Sequence, residues 1–158
     1  MATIDEHLRI VDLLAQHELA LADLYGVYAD KMIEYEQLWY GLVSDEKKHA
    51  SWIRAVMPKV KEGLVIINET IFPPETIEED IKHIRNLIIR AQELDISLEE
   101  ALNSAMKLEK GMIDRHFYKA FEGDPDALAD MPRNLQTETQ YHYQLVYETW
   151  REVRERNT

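Results

Sequence analysis

The chain has 158 residues, 46% of them apolar, with a formal net charge of −12 and no cysteine. The length suits a single domain over residues 1–158 with a core of its own, and the acidic balance repels phosphate backbones, which argues against nucleic acid as a partner. Without thiols the chain builds no disulfide, thiolate zinc site, iron–sulfur cluster or rubredoxin-type iron site; without a basic-then-apolar start or a run of about eighteen apolar residues, the expected location is the cytoplasm, off the membrane.

The first predicted helix runs from about Asp5 to Lys31, with an apolar stripe through Ile10, Leu14, Leu21, Tyr25 and Tyr28. The second runs from about Tyr35 to Lys61 on Leu38, Leu42, Ile53 and Val56, and Pro58 is expected to kink its end. Residues 62–74, with Gly63 and Pro73-Pro74, form a connection. A shorter helix follows from about Glu75 to Leu94 on Ile77, Ile81, Ile84, Leu87 and Ile88, as a crossover between two hairpins. Ser97-Leu98-Glu99-Glu100 is a capping-box start for a helix expected to reach about Glu122, on Ala101, Ala105, Leu108, Met112 and Ala120. Gly123-Asp124-Pro125 breaks it, and the last helix follows Pro132, with Leu135, Leu145 and Thr149 on one line, ending in the charged stretch 151–156. The expectation is all-α: four long helices, one linking helix and no strand.

The stripes are interrupted by polar residues at helical spacing. Glu18 falls between Leu14 and Leu21, Glu46 and His49 between Leu42 and Ile53, and Glu138 and His142 between Leu135 and Leu145; Glu109 lies three before Met112. Four buried carboxylates facing one another are costly unless something compensates them. Two divalent cations supply four positive charges, and carboxylate with imidazole suits iron or manganese. The spacing also repeats: Glu46 follows Glu18 by 28 residues, and Glu138 follows Glu109 by 29. Each half reads as a hairpin with a glutamate on its first arm and a Glu/His pair on its second, the layout of di-metal bundles.

These residues resemble the rubrerythrin branch of the ferritin-like family. Asp45-Glu46-Lys47-Lys48-His49 matches that family's Asp-Glu-x-x-His motif, Glu18 precedes it on the first helix, and Leu108-Glu109-Lys110 with Glu138 and His142 supplies the second half. The resemblance covers nearly the whole chain. It implies a ferritin-like four-helix bundle, and Glu18, Glu46, His49, Glu109, Glu138 and His142 as ligands of two iron ions, with manganese or zinc as alternatives. It also implies peroxide or oxygen reduction, or ferrous oxidation, with electrons from a separate donor or from ferrous iron itself, and a homodimer as the assembly. The alternative is a metal-binding or structural bundle without redox turnover.

Three departures stand out. Tyr141, not histidine, stands three after Glu138, and His142 stands four after; Met112 occupies the place of an extra family glutamate; the rubredoxin-like domain is missing. A competing alignment takes Thr139 as the first position of a Thr-x-x-His, with His142 still a ligand and Glu138 displaced like Asp45. Asp45 reads either as a group orienting a histidine of the opposite half or as an exposed helix carboxylate. Tyr25 reads as a hydrogen-bond donor to a ligand carboxylate or as a core tyrosine, and His116 as a third histidine near the site or a core histidine. His7, His17 and His83 are expected at the surface, Trp39, Trp52 and Trp150 in packing, and Gly111 as a close-approach point or a weak one.

Overall fold

The structure, a computed structural model, describes residues 2–158. It is a helical bundle in which α1 (Ile4–Lys31) packs against α2 (Glu36–Arg54), α5 (Leu98–Arg115) against α7 (Met131–Arg156), and α2 against α7. The linking helix α4 (Pro74–Glu93) lies along α1. No described helix is long and apolar enough to cross a membrane.

Local chemistry sets the helix ends. The Thr3 hydroxyl accepts from the Glu6 amide at 3.1 Å while the Thr3 amide donates to the Glu6 carboxylate at 2.9 Å, a reciprocal cap for α1. The Ser97 hydroxyl accepts from the Glu100 amide at 3.0 Å at the start of α5. α2 stops at Arg54, the residue whose carbonyl the Pro58 ring would strike in a continuous helix. The chain resumes as a short α3 (Met57–Lys61) instead of the single kinked helix expected to Lys61.

The second hairpin departs further from expectation. α5 ends at Arg115, because His116 takes a left-handed conformation at φ 53°. A 3-10 turn over Phe117–Ala120 and a strand, β2 (Phe121–Gly123), follow where helix was expected to about Glu122. β2 pairs antiparallel with β1 (Val65–Ile67), Ile66 opposite Glu122. Three-residue strands are too short to display an alternating pattern, so the ribbon has no signature in the sequence. It ties the α3–α4 connection to the loop between α5 and α7. A short α6 (Pro125–Leu128) completes that loop.

His7, expected at the surface, is buried at the N-terminal end of α1, and its Nδ1 accepts from the Ile67 amide at 3.1 Å. It anchors the ribbon to the bundle. Gly123, at φ 137°, lies so close to the other strand that a Cβ would meet the Leu64 carbonyl oxygen at 2.2 Å. Gly123→Ala should therefore cost about 1–3 kcal/mol in chemical denaturation. Gly111→Ala, in mid-helix with nothing within 4 Å of the new Cβ, should be neutral or stabilise by up to about 1 kcal/mol. Equal effects at the two positions would contradict this account of the ribbon.

Candidate metal centre

Four helices, α1, α2, α5 and α7, each carry part of one buried polar cluster. α1 contributes Glu18, α2 Glu46 and His49, α5 Glu109, and α7 His142, all at 1% exposure or less. Helical spacing is what brings them together: Glu46 and His49 lie on the buried line Leu42–Glu46–His49–Ile53, and Glu109 lies one turn after Ala105 and one before Met112.

α7 departs from the expected line. Its buried residues are Leu135, Thr139, His142, Val146 and Val153, so the seam runs through Thr139 and Val146 and leaves Glu138 and Leu145 part-buried. Offsets of three and four share a helix face, and the stripe alone could not choose between them. Burial follows the alignment Thr139-x-x-His142, the counterpart of Glu46-x-x-His49. Three carboxyl groups, not four, therefore lie in the buried cluster.

The two imidazoles are related by an approximate exchange of halves. Their rings stack with centroids 5.4 Å apart and planes at 24°. His49 Nε2 lies 3.0 Å from Glu138 Oε1, and His142 Nε2 lies 3.0 Å from Asp45 Oδ2. Each carboxylate belongs to the opposite hairpin, which settles the open reading of Asp45 in favour of orienting a histidine. An ionised carboxylate only accepts, so each Nε2 carries its hydrogen outward and each Nδ1 faces the cluster. Lys48 bridges the outer carboxylates, with its Nζ 3.2 Å from Glu138 and 3.7 Å from Asp45. The signal was present in the sequence: Asp45 and Glu138 each stand four residues before a histidine and one before the seam.

Inside, Glu46 faces both imidazoles, with Oε2 3.6 Å from His49 Nδ1 and Oε1 3.0 Å from His142 Nδ1. Glu18 Oε2 is 3.9 Å from His49 Nδ1 and Glu109 Oε1 is 3.6 Å from His142 Nδ1. Tyr25 is fully buried and donates its hydroxyl hydrogen to Glu109 Oε1 at 2.8 Å, so it is both a core residue and a partner of the cluster. Glu18 Oε2, both Glu46 oxygens, Glu109 Oε2 and the Nδ1 atoms of His49 and His142 are buried without a hydrogen-bond partner. Native interiors leave few such atoms, and these six, on five converging side chains, are a set of donors that could hold a metal ion. Two donor groups, Glu18/Glu46/His49 and Glu46/Glu109/His142, each offer ligand atoms within 4.8 Å of one another and share Glu46. A third, His49/Glu138/His142, also meets that distance, through the part-buried Glu138.

The remaining sequence candidates lie elsewhere. His116 is exposed at the end of α5, neither a core nor a cluster residue, and His83 is exposed as expected. His17 is 3% exposed rather than superficial, edge-on to Phe72. Burial lowers its affinity for a proton. Trp39 is buried against Tyr25 and Tyr28, whereas Trp52 lies against His49 with centroids 5.3 Å apart and planes tilted by 36°.

In the metal-free cluster, protons take the compensating role. Burial, then Glu46, raises the Glu18 carboxyl from 4.5 to about 8. Burial alone would lower the imidazoles, but Glu18 and Glu46 raise His49 to about 11, and Glu109 and Glu46 raise His142 to about 12. Burial and Glu109 push Glu46 upward, and interactions with Glu18, His142 and His49 outweigh them and hold it below its usual range. A group raised on folding stabilises fully below its unfolded value and loses that contribution as pH climbs through its folded value. Glu18 thus loses its contribution between 4.5 and about 8, and the imidazoles between 6.5 and about 12. Glu46, lowered, loses its contribution only as pH falls below 4.5. Metal-free protein should therefore melt at lower temperature as pH rises from 6 to 9. Stabilisation by added manganese(II) should grow over the same range, because the cation displaces these protons. Thermal scans with and without the cation check both slopes, and a metal-free melting temperature that rises with pH would contradict the proton assignment.

No family model matches the chain, and no curated protein or solved structure matches it either, so the resemblance carried by residues 45–49 and their partners stands on those residues alone.

Proposed function

We propose that the chain is a ferritin-like di-metal carboxylate protein of rubrerythrin-like type, with iron as its metal and peroxide or oxygen reduction, or ferrous oxidation, as its reaction. The observation that carries this reading is the set of six partnerless buried donor atoms on Glu18, Glu46, His49, Glu109 and His142. Bound iron would supply electron transfer to peroxide or dioxygen.

The chain's residues do the rest. Glu18 with His49, and Glu109 with His142, form the two ends of the site, and Glu46, facing both imidazoles, serves both. Asp45 and Glu138 fix the imidazole tautomers from the opposite hairpins, and Tyr25 fixes one oxygen of Glu109. Glu138 is thus a positioning group in this reading, in place of the ligand role expected from the seam. Val11, Leu14, Leu21, Leu42 and Leu135 are nearly fully buried and keep bulk water from the bundle interior. Because the chain has no cysteine, the reducing electrons come from a separate donor or from ferrous iron as substrate. A carrier without turnover is the second reading, favoured by buried Met112 at the place of the additional family glutamate.

Protein loaded anaerobically with ferrous iron should hold close to two ions per chain by elemental analysis, and peroxide should oxidise them faster than free ferrous ion at the same pH. A ratio near zero would sink the metal reading, and equal oxidation rates would favour the carrier. Among variants, Glu46→Ala should lower the bound ratio most, since both donor groups share that carboxylate. Asp45→Ala and Glu138→Ala should each weaken manganese(II) affinity by about 10–100-fold, as loss of a ligand-orienting partner does, without changing the ratio at saturation. A Glu138→Ala protein that saturates at one ion would restore Glu138 as a ligand.

A further inference from the structure

α4 packs along α1 and α5 packs on α7, which leaves a cleft between α4 and α5. Two ion pairs span the gap between these helices, Arg90 with Glu100 at 2.8 Å and Arg115 with Asp80. The cleft has a volume of about 390 Å³, within the ~300–1,000 Å³ of small-molecule sites. His17 of α1 lines it although only 3% exposed. The imidazole lies edge-on to Phe72 and makes no hydrogen bond among the described residues. Neither of its nitrogens is among the sealed atoms without a partner, so the polar edge of the ring opens to the cleft. Gly111 points the same way: it lines the cleft in mid-helix, and a Cβ there would meet nothing within 4 Å. A mid-helix glycine weakens a helix relative to alanine, and no close neighbour requires this one; what it provides is open space.

The lining residues indicate what fits. Leu87, Leu108 and Met112 give the cleft apolar walls. Asp80, the one carboxylate in the lining, is paired with Arg115. Lys107 is exposed and pairs with no carboxylate among the described residues, unlike Lys110, which lies 3.3 Å from Asp114. The lining therefore offers one uncompensated positive charge at the rim, an apolar middle and an unpartnered imidazole within. We infer that this cleft binds a small organic carboxylate, with its charge at Lys107, its apolar body against Leu87, Leu108 and Met112, and a hydroxyl or carbonyl at its inner end hydrogen-bonded to His17. An imidazole both donates and accepts, so either group is matched. No residue of the buried cluster lines the cleft, and the inference stands apart from the metal reading.

The probes are 4-hydroxybenzoate, benzoate and 4-hydroxybenzamide, titrated into the full chain and followed by NMR of its histidine imidazoles. 4-Hydroxybenzoate should shift the His17 signal and bind most tightly. Benzoate, without the inner hydroxyl, should bind about 3–10-fold more weakly, the effect of one hydrogen bond. The uncharged amide should bind about 2–5-fold more weakly, the effect of a solvent-exposed charge pair. Lys107→Met should bind the acid and the amide alike. Gly111→Leu should fill the cleft and weaken 4-hydroxybenzoate at least about tenfold. If Gly111→Leu fails to fold, Lys107→Met, a change at an exposed position, carries the test. An unmoved His17 signal at about 10 mM 4-hydroxybenzoate would overturn the inference. So would wild-type affinity in folded Gly111→Leu, or an acid–amide difference that survives in Lys107→Met.

Discussion

Charge buried without compensation is the constraint on which this bundle turns. Glu18, Glu46, Glu109, His49 and His142 sit at 1% exposure or less among leucines, alanines and aromatic rings. Ionised groups there are costly unless opposite charge lies beside them. In the metal-free protein the compensation comes from protons held on both imidazoles and on Glu18. Two cations would supply the same positive charge more compactly and would also give the partnerless oxygens and nitrogens something to bind. In the proposed reading, the proton-filled cluster is the metal-free form of a di-metal site.

The second hairpin explains the asymmetry between the halves. In the first, seam position and ligand coincide, because Glu46 and His49 stand three apart on one buried line. In the second, the carboxylate has moved one residue off the seam, and Thr139 has taken its place. The outer interactions survive that change: Glu138 orients His49 as Asp45 orients His142. The two halves therefore agree in how they hold their histidines and differ in what they present to the interior.

Much of this was legible in the sequence, and the failures have physical causes. The long helices and Glu18, Glu46, His49, Glu109 and His142 on their buried faces follow from periods of three and four. The choice between Glu138 and Thr139 did not, because Leu145 and Val146 are both apolar and both continue a stripe through His142. Only packing against α5 and α2 decides that rotation. The early end of α5 was hidden for a similar reason: Ala120 and Phe121 are buried, as a helical stripe would have them, but by a 3-10 turn and a strand entered through the left-handed His116. His7 looked like a surface residue because its partner is a backbone amide 60 positions away. Such long-range backbone pairing has no periodicity to betray it.

In the proposed reading the buried cluster holds two cations that share Glu46, with Glu138 outside them. A crystal of metal-loaded protein, measured at and below the absorption edge of the added iron or manganese, reads this directly. Two anomalous peaks are expected, one among Glu18, Glu46 and His49 and the other among Glu46, Glu109 and His142. A cluster with no peak, or a peak bonded to Glu138 rather than Glu46, would contradict it.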